Sequence, residues 1–168
     1  MQNVFQTQIP NVTVRFAVEK DTALILEFIK GLAEYENMLD EVVATEETLY
    51  DSLFIKHKAE VIIAEHNGEA VGFALFFHNF STFLGKPGIY LEDLFVFPKA
   101  RGLGLGKALL SFLAKLAVER NCGRFEWWCL DWNKPSIAFY KKMGAKPMED
   151  WTVYRVEGNA LSDLAGQF

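Results

Sequence analysis

Cysteine is scarce in this chain: only Cys122 and Cys129 occur among 168 residues. Two thiols cannot staple a secreted scaffold, and no metal-type Cys/His spacing accompanies them, so neither a disulfide framework nor a metal site is expected. Histidine is equally sparse, with His57, His66 and His78 falling in loop or strand-end surroundings. Basic residues are outnumbered, 17 Lys and Arg against 22 Asp and Glu, for a net charge of −5. That balance argues against nucleic acid as a partner, because phosphate contacts need a basic face, and a cationic substrate suits the field better. No apolar run approaches the roughly 20 residues that span a bilayer. Met1 to Asn11 also lack the basic-then-apolar pattern of a signal peptide. A cytoplasmic protein with no membrane contact is expected. No repeat, linker or low-complexity tract divides the chain, which reads as one domain over residues 1–168, with the polar residues 1–11 as a loose leader.

What is present is apolar and aromatic: 51% hydrophobic residues, with fifteen Phe and four Trp available to line a core or a cleft. Val12 to Phe16 alternates and predicts a first strand. Asp21 is placed to cap a helix whose stripe is Ile25, Phe28, Ile29 and Leu32. A second helix follows Thr45, with Leu49, Leu53 and Phe54 facing inward. The period then changes: Val61 to Ala64 and Val71 to Phe77 flank Asn67-Gly68, a strong hairpin signal. Gly88 to Phe97 predicts a strand that is apolar except for Glu92 and Asp93. A glycine loop leads into a helix with Ala108, Leu109, Phe112 and Leu116 on one side. Phe125 to Leu130 reads as a buried strand, Pro135 to Met143 as a short helix stopped by Gly144, and Trp151 to Val156 as the strand that closes the sheet. The order β-α-α-β-β-β-α-β-α-β describes a mixed α/β (α+β) fold. Its sheet is mostly antiparallel and flanked by helices, with a parallel strand–helix–strand unit around residues 90–130.

The loop Arg101-Gly102-Leu103-Gly104-Leu105-Gly106 carries the strongest chemical signal. A helix N-terminus offers unpaired N–H groups and the positive end of a dipole, and glycines let a phosphate approach the backbone. The dinucleotide pattern G-x-G-x-x-G fails because Lys107 stands at the third glycine position. The NTPase loop fails because Ala108 follows Gly106-Lys107 where a hydroxyl is needed for magnesium. What remains is R-x-x-G-x-G after a strand, which is either a diphosphate cradle or a glycine-rich turn into a helix.

With these segments in hand, the chain resembles the GNAT superfamily of N-acetyltransferases, and within it the diamine (spermidine/spermine and thialysine) N-acetyltransferases. The matching runs are Tyr90 to Val96, containing Leu91-Glu92-Asp93; the loop Arg101 to Gly106; and Asp131-Trp132-Asn133-Lys134-Pro135-Ser136 through Phe139-Tyr140. Leu32 to Glu36 matches more weakly. The resemblance covers about Val14 to Val156. It implies acetyl-CoA as co-substrate, with no metal. The backbone of Leu94, Phe95 and Val96 would pair with the pantetheine arm, and N–H groups from Gly102 through Lys107, across Leu103, Gly104, Leu105 and Gly106, would hold the pyrophosphate. Asn133 and Ser136 would contact the cofactor, Tyr140 would stand next to the sulfur, and the protein would be a homodimer.

Acetyl transfer by direct attack in a ternary complex needs a neutral amine, a polarised thioester and a proton for the departing thiolate. Tyr140 can supply that proton, or it can simply anchor a short helix. Glu92, a carboxylate among apolar neighbours, needs a reason to be there. Either it anchors the ammonium of the substrate and takes its proton, or it is satisfied structurally. Asp93 points to the other face of a regular strand and reads as structural. Tyr35 and Glu36 are expected at the amine end of the cleft, with Asp131 and Trp132 completing it. The family usually carries the longer glutamate at Asp131. Glu126, Trp127 and Trp128 are expected beside the substrate, with the two indoles on opposite faces of one strand. Cys129 reads as a small core hydrophobe, with a ping-pong acetyl-cysteine as the alternative. The expected reaction is acetylation of a small cationic acceptor such as a polyamine, a diamine or a lysine analogue. The alternatives are acetylation of a protein N-terminus or lysine, and a CoA-binding module without turnover.

Overall fold

Six strands hydrogen-bond in sequence order in a computed structural model that describes residues 4–168. They are β1 (Val4–Gln6), β2 (Val12–Phe16), β3 (Glu60–His66), β4 (Glu69–Ser81), β5 (Lys86–Val96) and β6 (Arg124–Trp127). All neighbours are antiparallel except β5 and β6, which are joined through helix α3 (Leu105–Glu119) as a parallel pair requires. Between β2 and β3 lie α1 (Thr22–Tyr35) and α2 (Glu46–Tyr50), the latter continued by a π-helical turn, Asp51–Ile55. The Asn67-Gly68 signal is realised as the β3–β4 hairpin, with φ of 53° and 79° at its two central residues, the left-handed pair that a two-residue turn demands. Thr45 caps α2 by accepting from the Thr48 N–H.

Alternation divides the sheet into two faces. On one, Ile25 and Phe28 of α1 and Leu53 pack with Val61, Ile63, Phe73, Leu75 and Phe95. Phe28 stacks on Phe73 at 5.0 Å between ring centroids, and each such fully buried side chain stabilises the fold by about 1.5–3 kcal/mol. Gly31 is required here, because a Cβ would lie 2.7 Å from the Phe95 ring. On the other face α3 buries Leu105, Leu109, Leu113 and Leu116, and its Phe112 meets Phe16.

Four features differ from the sequence reading. The leader expected over residues 1–11 falls in part on Met1 to Asn3, outside the described residues; the remainder includes β1, which pairs with β2 and sets Phe5 against Phe16 and Phe112. Three residues between polar neighbours are too short for a periodic signal, so this strand was not expected. The closing strand at Trp151 to Val156 does not form: the stretch has no strand hydrogen bonding and is exposed, Trp151 by 77% and Tyr154 by 92%. Strand-forming residues become a strand only when a ladder partner is available. The strand at Phe125 to Leu130 likewise stops at Trp127.

Asp21 occupies the position before α1 but does not cap it. Its carboxylate accepts from the Val18 N–H at 2.8 Å and from both Nη atoms of Arg15 at 2.7 and 3.0 Å. Arg15 Nε in turn donates to Glu65 at 2.6 Å. The pair ties β2 to the start of α1.

The described chain falls into two compact units, one ending at Trp128 and the other running from Cys129 to Phe168. The second holds α4 (Lys134–Lys142) and α5 (Gly158–Ala165). α4 starts and stops as the sequence predicts, with Pro135 in its first turn and a left-handed Gly144, φ 91°, after its last.

Candidate active site

Strand β5 is the spine of the site. Gly88 to Leu91 pairs with Arg124 to Trp127, and there β6 ends. From Asp93 to Val96, β5 keeps β4 on one side and has no strand on the other among the described residues. An edge of this kind can accept an extended ligand amide as an added strand. It comprises Leu94, Phe95 and Val96, the residues expected to meet pantetheine. Arg101 Nε donates to the Val96 carbonyl at 3.1 Å, and its guanidinium lies over the rings of Tyr35 and Phe95, 5.1 and 5.6 Å from their centroids. The side chain of Arg101 therefore ties the loop to β5 and to the end of α1.

A β-bulge sets the chemistry of this strand. Leu75 partners Asp93 while Phe76 partners Leu91, so Glu92 is the extra residue. The bulge leaves Glu92 exposed rather than enclosed among the apolar neighbours of a regular strand. It turns Asp93 onto the face of Leu75 and Phe95, where α1 packs. Asp93 is then the carboxylate that is desolvated. Burial, with the charges of Glu92 and Glu36 added to it, pushes its pKa up to about 6. Glu36, at the C-terminus of α1, is itself raised by burial. Sequence reasoning assigned Asp93 to structure because strict alternation puts it opposite Glu92; two adjacent acids in an apolar strand were the only signal that the alternation breaks.

The glycine loop has the conformation an anion cradle needs. Gly102 and Gly104 are left-handed, φ 84° and 82°, and a Cβ on Gly102 would meet nothing within 4 Å. Gly104 stands at the N-cap of α3 with no side chain capping the first turn. The N–H groups of Leu105, Gly106 and Lys107 therefore have no intrahelical partner and point out of the helix end. Leu103 is exposed by 42% and Leu105 is buried in the core. These residues fit a diphosphate.

In the second unit, the buried Asn133 accepts through its side chain from the Ser136 N–H at 3.3 Å, so the two expected cofactor contacts are joined as the cap of α4. Tyr140 lies half-buried on that helix with its ring 5.5 Å from that of Phe139. Asp131 and Trp132 are exposed in the turn before it. Cys129 Sγ donates to the Leu130 carbonyl at 3.7 Å.

The indoles divide as alternation requires. Trp127 packs on Phe125, and Trp128 turns to the opposite face against Tyr90, 5.8 Å away, which itself meets Phe77 at 5.0 Å. Glu126 accepts from Asn79 Nδ2 at 2.6 Å. Two open hollows of about 420 and 560 Å³ border Glu19 and Lys20 and contain none of the expected site residues. Among the described residues no cluster of His, Cys, Asp and Glu suits a metal, and no helix is long and apolar enough to cross a membrane.

Comparison with known proteins gives the family. Residues 28–145 match the acetyltransferase (GNAT) family. The chain is 37% identical to the thialysine N-epsilon-acetyltransferase of Sus scrofa, over 94% of this chain and 99% of that one. It is 31% identical to the L-ornithine N5-acetyltransferase of Arabidopsis thaliana, over 90% and 86%. Among solved structures, an integron cassette protein from the mobile metagenome of V. cholerae superposes with a TM-score of 0.78 at 31% identity, covering 92% of this chain and 98% of that one.

Proposed function

Because the chain belongs to the GNAT family of acetyltransferases, we propose that it carries an acetyl group from acetyl-CoA to a primary amine of a small cationic acceptor. That acceptor is a diamine, a polyamine or a lysine analogue, attacked directly in a ternary complex. One observation carries the choice of acceptor: Asp93 is half-buried and desolvated, with no cation paired to it, and flanked by Glu92 and Glu36, beside the open edge of β5. An ammonium arriving there relieves the repulsion among three carboxylates, whereas a neutral or anionic acceptor does not. The printed names of the two enzymes compared above, which act on thialysine and ornithine, support the same class.

The roles follow. The glycine loop and the first turn of α3 bind the diphosphate, and the edge at Leu94 to Val96 orients the thioester arm. Asp93 holds the acceptor ammonium. Glu92, exposed on the bulge, accepts the proton that the amine must lose and passes it to solvent. The amine nitrogen bonds to the thioester carbonyl carbon, the carbon–sulfur bond breaks, and the Tyr140 hydroxyl gives its proton to the leaving sulfur. The products are an amide and CoA thiol. We assign all of this to one acetyltransferase domain over residues 1–168, working in the cytoplasm as a homodimer. The exposed Trp151, Tyr154 and Val156 supply apolar surface that a second copy can cover.

Thiol release from acetyl-CoA against a panel of diamines, polyamines, lysine analogues and peptides tests the reaction. Tyr140→Phe is expected to lower kcat about 100-fold or more while leaving the Kd for acetyl-CoA within about twofold of wild type. Undiminished turnover in that variant removes Tyr140 from the acid role.

A further inference from the structure

Arg101 belongs by sequence to the glycine loop, yet its side chain runs back along β5. Two contacts show which way the backbone of that strand faces. The Phe97 N–H donates to the Val71 carbonyl at 2.9 Å, and a Cβ on Gly72 would lie 2.9 Å from the Phe95 carbonyl. Phe95 and Phe97 therefore turn their backbone groups to β4, and by alternation Leu94 and Val96 turn theirs to the open edge. A strand added there meets a carbonyl already in use: Arg101 Nε donates to Val96 at 3.1 Å. The same guanidinium covers the Tyr35 ring at 5.1 Å and the Phe95 ring at 5.6 Å. Phe95 cannot yield, since it is 6% exposed and packs where Gly31 has no room for a Cβ. Tyr35 is 39% exposed in the last turn of α1, next to Glu36, one of the three acids assigned to the acceptor. Arg101 makes no ion pair among the described residues, so one hydrogen bond and two ring faces hold it.

We propose that Arg101 is a positioning residue that stands in for the substrate cation on Tyr35, and that it gives way when the arm of acetyl-CoA claims the Val96 carbonyl. The inference rests on the acetyl-transfer reading above and adds a coupling between its two substrate sites.

Geometry and charge both support it. An amide that pairs with β5 as an added strand brings its N–H to the Val96 carbonyl from the side that Arg101 Nε occupies. Once that bond is lost, the guanidinium keeps only two ring contacts, each weak at an exposed site. A diphosphate held from Gly102 onward offers it charge-assisted hydrogen bonds instead. Its departure bares the Tyr35 ring, and an acceptor ammonium is drawn to that face by the same attraction that held the guanidinium. While Arg101 stays in place, an arriving cation meets a like charge there and is repelled. Occupancy of the thioester edge thus decides how well the amine end receives its substrate.

The test measures amine affinity with and without cofactor. The probe is ornithine or putrescine, whichever is acetylated faster in the thiol-release panel. It is titrated calorimetrically into the protein alone and into the protein saturated with CoA. The wild type is expected to bind the amine about tenfold tighter, or more, when CoA is present. Arg101→Met should raise the amine affinity of the protein alone to near that of the CoA complex, a gain that loss of a merely structural side chain does not produce. Arg101→Lys, which keeps the cation without the planar fork, should restore part of the dependence on CoA. Tyr35→Leu should cut the dependence to about twofold or less while leaving the Kd for CoA within about twofold of wild type. Equal amine affinity with and without CoA in the wild type overturns the inference while acetyl transfer stands. A dependence that survives intact in Arg101→Met or in Tyr35→Leu does the same. Failure to acetylate any amine overturns both.

Discussion

Two aspartates in this protein are taken out of water and end in opposite states. Asp21 is 6% exposed. Burial opposes its charge, but the hydrogen bonds from Arg15 and the Val18 N–H outweigh that penalty and hold its carboxyl below the usual range. Asp93 is desolvated as well, yet Glu92 and Glu36 add to the penalty and its pKa rises to about 6; among the described residues no ion pair reaches it. The difference lies in what was folded in beside each one. The Asp21 site is finished by the chain itself, through Arg15 and Glu65. The Asp93 site is left short of a positive charge, and a substrate can bring one. Desolvation alone therefore says little about function in this fold; a missing counter-charge says much more.

The largest effect expected from this contrast is on the completed pair. Arg15→Met strands a buried carboxylate and should destabilise the protein by about 3 kcal/mol or more in urea unfolding at neutral pH. A loss under 1 kcal/mol would mean that Asp21 is not held as described. Asp93→Asn should do the reverse. It lowers kcat/KM by about 10- to 100-fold while raising stability at pH 7.5 by about 2 kcal/mol, from two pKa units less an allowance for partial exposure.

The sign of the stability effect follows from linkage. Between the usual 3.8 and about 6, the folded state binds more protons at Asp93 than the unfolded state does. Wild-type stability at this site therefore falls as pH rises through that window and is level above it. The advantage of Asp93→Asn should accordingly be absent near pH 4 and complete by about pH 7, and an advantage independent of pH would refute the account. At Asp21 the slope is opposite, with its contribution present above the usual carboxylate range and lost on acidification. The smallest expected change comes from Glu36→Gln. Removing one like charge should move the acidic limb of kcat/KM down by about half a unit, and an upward move would show that Glu36 does not oppose ionisation of Asp93.

Most of the scaffold was legible because its signals are local. The switch from a helical to a two-residue period after Phe54, the Asn67-Gly68 turn, and the proline and glycine bracketing α4 each dictate conformation within a few residues. The glycine loop was legible for the same reason. The misses are non-local. A bulge is a relation between two strands, so nothing in Leu91-Glu92-Asp93 by itself reveals that Asp93 turns onto the face of Leu75. The bond between Asn79 and Glu126 escaped notice because they lie 47 residues apart on strands that pair with β5 from opposite sides. Asp21 has the residue type and position of a cap, but Arg15, folded in from β2, and the Val18 N–H divert its carboxylate. Trp151 to Val156 has the composition of a strand without a partner to make it one.

The first hairpin has a practical consequence. A Cβ placed on Gly104 would sit 3.2 Å from Ile9 Cδ1, so the turn joining β1 to β2 packs against the glycine loop. Anything fused ahead of β1, an affinity handle for example, pulls on a segment packed against the loop that we propose holds acetyl-CoA. Measured cofactor dissociation constants should then depend on whether such a handle is retained or cleaved away.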